Sequence, residues 1–563
     1  MTGTDRRQAW ILFALAFFVL AAGYGLREPW PADEPRFVLV AKQMVESGDF
    51  LFPHRGGELY PDKPPFYFWL LSLAYFVVGS WRWSFLLPSL LAGLGTLGLV
   101  YDLGRRLWTP RAGWWAATAV LVSLQFVYQA KRAQIDPTLV LLTTLSFYGL
   151  CRHLLLGPAW RWFWAGCFAA GLGVISKGVG FLPLLVLLPF AAMVRWRWRG
   201  LAELGNGNGG RWALGGLAFL AAIALWLGPV LAVGLGSGNP EHQEYLGNIL
   251  FKQTAQRYAD PWHHHEPAWY FLQVVALFWL PFSLALPWLL EPWKQAWRDR
   301  DARVWLPLAW CVLVLLFFSA SAGKRDMYIL PALPALALAA APFLESTSQR
   351  AGFRRAVLAF VLALSALLLA AGAAALVSDP GFARRLVAER GLGDEARWLW
   401  WMLATVGAGG LVAALWGRVR GALPACAALL VLLWSGYGFV VHPLLDDENS
   451  SRAVMRQARQ LAGQAGIGLV DWKEQNLLQA RGPVAEFGFR QPPATQLARG
   501  VAWLRSDPQR RRLLVQRSDA LACIAWEVPG AAQRVGTANR RDWWLLGEAA
   551  VTDCAVPAPA PAR

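Results

Sequence analysis

Charged and hydroxylic residues recur in short groups along an otherwise apolar chain. They are Asp33, Glu34 and Arg36; Asp62 and Lys63; Lys131, Arg132 and Asp136; Ser176, Lys177 and Gly178; Lys252, Arg257, His263, His264, His265 and Glu266; and Lys324, Arg325, Asp326 and Tyr328. Carboxylates set among several fixed cations beside lipid suit one task, the holding of an anionic phosphate head group while a carboxylate serves as base. Lys and Arg would bind the phosphate, and an Asp would take a proton from an acceptor. A phosphate carried on a sugar becomes a leaving group once its charge is neutralised, so this chemistry asks for no nucleotide or redox cofactor. Transfer of a lipid-linked sugar is the economical reaction. Single charges near a membrane surface usually only snorkel or anchor, so the weight rests on their joint placement.

The elements that must position these groups belong to a membrane protein. Of 563 residues, 56% are hydrophobic and 16% charged, with 33 Trp, 30 Phe and a mean hydropathy of +0.36. That balance excludes a soluble enzyme, a disordered chain and a secreted disulfide scaffold. Continuous apolar runs of about 17 to 23 residues suit helices crossing about 30 Å of hydrocarbon, not the alternating strands of a barrel. They predict spans over 8–26, 84–103, 113–130, 137–151, 161–176, 178–194, 212–235, 268–290, 304–320, 327–344, 356–377, 397–416 and 422–442, about 13 crossings in an all-α polytopic domain covering residues 1–442.

A shorter aromatic run over 66–79 is read as a helix lying along the interface. With that assignment the basic loops carrying Arg105, Arg106 and Arg111, then Arg195, Arg197 and Arg199, then Lys294, Arg298 and Arg300, and Arg350, Arg354 and Arg355 all fall inside. The N-terminus is then cytoplasmic with an uncleaved first span, the C-terminus is external, and the two large external loops are 27–83 and 236–267. All the chemical groups above face that outer side. The formal net charge of +17 reports this loop bias rather than a nucleic acid partner.

After residue 442 apolar runs shorten and charges mix, which predicts a small soluble α/β domain over 443–563 with strands at 466–472 and 511–516 and a Pro/Ala tail. Of six cysteines, four (Cys151, Cys167, Cys311 and Cys426) fall in or beside predicted helices; Cys523 and Cys554 are either a disulfide or two free thiols. Gly93-Leu-Gly-Thr-Leu-Gly98 has the spacing of a nucleotide loop but lies within a span, where small residues allow close helix approach. Gly205-Asn-Gly-Asn-Gly-Gly210 reads as a flexible internal loop.

Pro31-Ala-Asp33-Glu34-Pro-Arg36, Met44-Val-Glu-Ser-Gly48-Asp49-Phe50 and Tyr60-Pro-Asp-Lys63-Pro64-Pro65-Phe-Tyr-Phe-Trp69 together resemble the first external loop of GT-C membrane glycosyltransferases. The closest branch is the group of aminoarabinose lipid A transferases (ArnT) and protein O-mannosyltransferase-like enzymes. Ala133-Gln-Ile-Asp136-Pro137, Ser176-Lys177-Gly178, Asn248 with Gln256-Arg257-Tyr258, Pro267-Ala-Trp269-Tyr270, and Ser321-Ala-Gly-Lys324 with Tyr328-Ile-Leu-Pro331 extend the similarity over nearly the whole chain.

The resemblance implies that Asp33 is the catalytic carboxylate of an inverting displacement, with Asp136 a second acid at the site. It implies that Arg36, Lys63, Arg257, Lys324 and Tyr328 hold a polyprenyl phosphate, and that Asp62 with His263, His264 or His265 is where family members place a divalent metal. The site would sit on the periplasmic face of a bacterial inner membrane, with a polyprenyl-phosphate sugar as donor. Lipid A with 4-amino-4-deoxy-L-arabinose is the favoured pairing, and a protein Ser or Thr or another envelope glycan the alternative acceptor. The chain departs from the family pattern in having Asp62 where Glu is usual and Lys324-Arg-Asp-Met-Tyr328 where Lys-x-Pro-Thr-Tyr is usual.

Three residue readings stay open at this level. Glu34 is a helix-start residue or a site residue, Lys177 a turn residue or a site residue, and the histidine run a set of ligands or a solvated loop. A lipid-carrier transporter also has many helices. Transporters need polar or broken helices near the midplane, however, and these runs are apolar through their centres.

Overall fold

The computed structural model describes residues 3–249, 266–321, 323–517, 524–526 and 529–552. Each predicted span is met by helix. Among the described residues seven helices are long and apolar enough to cross a membrane: Trp81–Leu107, Ile135–Leu156, Gly209–Gly236, Ala302–Ala320, Ala351–Val377, Ala396–Gly417 and Ala422–Ser450. The chain is thus a multi-pass helical membrane protein. The shorter helices Gly3–Ala21 and Trp160–Lys177 occupy two further predicted spans.

Several predicted spans are irregular: 178–194 opens with the 3-10 stretch Val179–Val186, 327–344 opens with the 3-10 turn Asp326–Ile329 before the helix Ala332–Gln349, and 268–290 and 113–130 are broken. The run 268–290 bends by 101° between Tyr270–Phe278 and Phe282–Arg298, because Pro281 cannot donate to the helix ladder and disfavours helix at the residue before it. The run 113–130 divides into Pro110–Val122 and Leu124–Ala130 at Ser123, whose backbone is extended. The two breaks satisfy each other. Leu124 N donates to Leu280 O at 3.0 Å, and Trp279 Nε1 donates to Gln125 Oε1 at 2.8 Å. Backbone groups freed inside a bundle need such partners, since no water is at hand to replace them.

The glycine run at 93–98 lies within the helix Leu87–Leu107. A Cβ on Gly93 would come within 3.1 Å of Leu20 and 3.2 Å of Ala130, so this glycine lets three helices approach. The run 66–79 forms the helix Phe66–Val78, about 20 Å long, too short to cross. It buries Tyr67, Phe68 and Leu71 while exposing Leu73, Phe76 and Val77.

The C-terminal residues form a five-stranded sheet of β3 (Gly466–Leu469), β4 (Val484–Glu486), β5 (Arg511–Gln516), β6 (Ala532–Ala538) and β7 (Arg541–Leu546), in the order β4-β3-β5-β7-β6. β3 runs parallel to β4 and β5, and β5-β7-β6 are antiparallel. Helices Arg452–Ala462 and Pro493–Ser506 accompany the sheet, the α/β composition expected. The last membrane helix runs on to Ser450 before the left-handed Ser451 (φ 59°) turns the chain into this domain. Cys523, Cys554 and the Pro/Ala tail lie outside the described residues.

The long loop over 27–83 is knotted to the bundle by one buried ion pair. Both Glu34 oxygens receive the Arg27 guanidinium, Nη2 to Oε1 at 2.7 Å, and the two side chains are 1% and 2% exposed. Trp30 N and Ala133 N also donate to Glu34, at 2.8 and 2.9 Å, and Arg27 Nη2 donates to Lys131 O at 3.1 Å. Lys131 Nζ in turn donates to Val19 O and Ala22 O at the end of the first helix. Glu34 is therefore fully engaged in structure.

Burial alone would raise the Glu34 pKa, but the Arg27 charge and hydrogen bonds, helped by Arg132 and Trp30 N, hold it below the ordinary value. A depressed carboxylate pKa means that the pair's stabilisation is complete above the ordinary carboxylate range and is lost as pH falls through the folded-state value. Glu34→Gln leaves Arg27 buried without a counter-charge and is expected to cost about 3–5 kcal/mol, read as a lowered melting temperature in detergent at neutral pH. The gap between wild type and variant closes as the pH falls through the lowered folded-state value of Glu34.

Candidate active site

Asp33 stands at the N-cap of the helix Glu34–Ser47, with Pro35 in its first turn. Arg36 follows one turn on, and this spacing brings Arg36 Nη1 to 3.5 Å from Asp33 Oδ1. The Nε edge of the same guanidinium donates to Glu474 Oε1 at 2.9 Å, across 438 residues of chain. Arg55 Nη1 reaches that oxygen too, at 3.4 Å.

Arg55 is delivered by a two-stranded hairpin of β1 (His54–Arg55) and β2 (Glu58–Leu59) closed by Gly56 and Gly57, where Gly56 takes the positive φ (66°) such a tight turn requires. Its guanidinium lies 3.8 Å from the Phe489 ring centroid and 5.2 Å from that of Tyr60. Burial opposes the charge on both arginines. At Arg36 the partners Tyr60, Glu474 and Asp33 outweigh it and the pKa rises, whereas at Arg55, beside Arg36, burial prevails and the pKa falls. Asp62 adds a negative charge felt by Tyr60 and Arg55, and Lys63 follows it in the turn that leads to Phe66–Val78.

A second group forms where two membrane helices end. Asp136, in the first turn of Ile135–Leu156, pairs with Lys177, the last residue of Trp160–Lys177. Lys177 Nζ also lies 5.1 Å from the Tyr328 ring centroid, so the turn lysine joins two of the expected site residues. Fully buried Tyr67 lies between the two groups: burial, and with it the charges of Glu34 and Asp136, push its phenol above the ordinary range. Lys324 is 4% exposed and donates to Ser321 O at 2.6 Å and Glu266 O at 2.8 Å. Nearby Asp326 accepts from Gln125 Nε2 at 3.0 Å, linking this turn to the paired helix breaks.

The structure thus unites Asp33 with Arg36, and Asp136 with Tyr328 through Lys177, while Lys324 turns to backbone carbonyls. Arg257, His263, His264 and His265 lie outside the described residues. Among the described residues no three of His, Cys, Asp and Glu gather as a metal group. Arg55, Tyr60 and Glu474 were not singled out in the sequence. The Gly-Gly hairpin signal could have located Arg55, but nothing local marks Glu474.

Residues 62–227, which include Asp62, Lys63, Asp136 and Lys177, match the family described as dolichyl-phosphate-mannose-protein mannosyltransferase. The chain is 32% identical over 351 residues to the undecaprenyl phosphate-alpha-4-amino-4-deoxy-L-arabinose arabinosyl transferase of Pseudomonas aeruginosa (strain UCBPP-PA14), a stretch covering 59% of each protein. It is 30% identical over 352 residues to the enzyme of that name from Edwardsiella ictaluri (strain 93-146), covering 61% of this chain and 60% of the relative. The chain therefore spans about three fifths of the length of these curated relatives. The crystal structure of ArnT from Cupriavidus metallidurans bound to undecaprenyl phosphate superposes with a TM-score of 0.72 at 21% identity, covering 98% of this chain and 99% of that one. In sequence over about three fifths of its length, and in fold over nearly all of it, the chain is similar to ArnT-type membrane glycosyltransferases.

Proposed function

We propose that the chain transfers a sugar from an undecaprenyl phosphate donor to an envelope acceptor on the periplasmic face of a bacterial inner membrane. The sugar in this reading is 4-amino-4-deoxy-L-arabinose and the acceptor lipid A. The observation that carries it is the placement of Asp33 beside Arg36, on an outer helix anchored to the membrane bundle, with Asp136, Lys177 and Tyr328 gathered at the helix ends next to it. The names of the curated relatives supply the donor, sugar and carrier. About 13 crossings, with the N-terminus cytoplasmic and the C-terminal domain periplasmic, belong to the same proposal.

In this mechanism an acceptor oxygen, oriented by Asp33 and relieved of any proton by it, attacks the sugar carbon that bears the phosphate from the opposite face. The carbon–oxygen bond to the polyprenyl phosphate breaks, and the phosphate leaves with the electron pair. Arg36, Lys63, Arg257 and Lys324 neutralise the charge it gains, with Tyr328 beside them. Lys324 uses two of its three N–H groups on Ser321 O and Glu266 O, which aims the third. Lys177 pairs with Asp136 next to Tyr328. A protein acceptor is the second reading, favoured by the family match over residues 62–227.

Mass spectrometry of lipid A and of envelope proteins, from cells with and without the chain, distinguishes the two. A pentosamine on lipid A that disappears with Asp33→Asn is expected, with turnover falling about 100-fold or more while the protein stays folded. Loss of a protein hexose with unchanged lipid A moves the enzyme to the protein-modifying branch. Lys63→Ala is expected to weaken undecaprenyl phosphate binding about ten-fold, and unchanged affinity removes Lys63 from the phosphate site. A divalent ion held by Asp62 with His264 or His265 is carried as a proposal outside this mechanism. EDTA then lowers turnover and added Mg²⁺ or Mn²⁺ restores it, whereas EDTA-insensitive turnover removes the metal.

A further inference from the structure

Glu474 belongs to the C-terminal domain, yet its carboxylate sits among residues of the first outer loop. It is the first residue of the helix Glu474–Gln479, its side chain is 7% exposed, and one oxygen receives both Arg36 Nε and Arg55 Nη1. A buried carboxylate shared by two guanidiniums does two things at once. It supplies the counter-charge that lets Arg36 and Arg55 lie close together, and it fixes which edge of Arg36 is used. Because Glu474 takes the Nε edge, the Nη edge is left pointing to Asp33.

We propose that Glu474 is a positioning residue for the transfer reaction, presenting Arg36 to Asp33 and to the donor phosphate from across the domain boundary. The inference rests on the proposed role of Arg36 in holding that phosphate. Without the Glu474 charge, Asp33 is the remaining carboxylate beside Arg36. The guanidinium then turns onto it and away from the phosphate position.

The domain is held in place by contacts that do not involve Glu474. Gly57 N donates to Glu486 Oε1 at 2.9 Å, Arg490 Nε stands 3.8 Å from Glu58 Oε2, and Gln479 Nε2 reaches Glu28 Oε2 at 3.4 Å. Leu39 of the outer helix is buried in the same apolar cluster as Ile467, Leu469 and Trp472. A change at Glu474 can therefore be read apart from the seating of the domain, with Glu58→Ala as the control that loosens the seating and leaves Arg36 and Glu474 in place.

The test uses the full-length protein in detergent and two measurements, affinity for undecaprenyl phosphate and steady-state kinetics with the glycosylated donor. Glu474→Gln is expected to weaken undecaprenyl phosphate and raise the donor KM, each about ten-fold, with the acceptor KM unchanged. Glu474→Asp recovers part of the loss, and Glu58→Ala leaves the donor KM at the wild-type value. Wild-type donor affinity in Glu474→Gln overturns the proposal. An equal rise in Glu58→Ala overturns it as well, by assigning the effect to domain seating. If the wild-type protein itself neither binds undecaprenyl phosphate nor turns over, the donor reading has failed and this inference falls with it. A wild-type protein that binds while Glu474→Gln binds equally well marks failure of the inference alone.

Discussion

A full positive charge at Arg27 and a full negative charge at Glu34 are sealed from water beside Asp33, and much of the surrounding loop is arranged to make that tolerable. Each buried charge carries a desolvation cost that only close pairing and further hydrogen bonds offset. The supply comes from everywhere around it: Trp30 and Ala133 give backbone N–H groups, Lys131 a carbonyl, and Trp30 and Phe85 ring faces about the guanidinium. Because Glu34 is next to Asp33, fixing the one fixes the start of the helix that carries the other. Because Ala133 leads into Ile135–Leu156, the same pair sets the position of Asp136. Two acids 103 residues apart in sequence are thus referenced to one electrostatic knot.

Loop and last helix are joined by related means. Asp446 accepts from Glu28 N at 2.7 Å and from Trp30 Nε1 at 3.1 Å, and Arg452 lies among Glu28, Asp446 and Asp447. The mutual repair of the breaks at Ser123 and Leu280 does the same task deeper down, and its Gln125 extends to Asp326 beside Tyr328. Irregular backbone is costly in a bundle of this kind. Here it occurs in matched pairs, and the freed groups are spent on locating site residues.

Much of this was legible in the sequence, for physical reasons that also say where legibility ends. Apolar runs must become helices in lipid, so all the predicted spans are met by helix, and the short segment 511–516 read as a strand is β5 to the residue. Pro281 announces the bend that divides 268–290. Ser123 does not announce the other break, because its cause is Leu280 O, a partner 156 residues away. Among candidate site residues, Asp136 and Tyr328 both lie against Lys177, which the sequence left open as a turn or a site residue. Glu34 shows the converse: its type and position suited a helix start or a chemical role, and only its burial against Arg27 decides what holds it. Glu474 was invisible because its function as a partner depends on a docking surface that no local pattern encodes.

The pairing of Arg36 with Glu474 also has a temporal side. The two residues are 438 positions apart, so during synthesis the outer loop emerges long before its counter-charge exists. At about 5 to 20 residues per second that interval is about 20 to 90 s, during which Arg36 and Arg55 are without their shared anion. Completion of this corner waits on the C-terminal domain, and a chain that stops short of residue 474 lacks the carboxylate that Arg36 and Arg55 share.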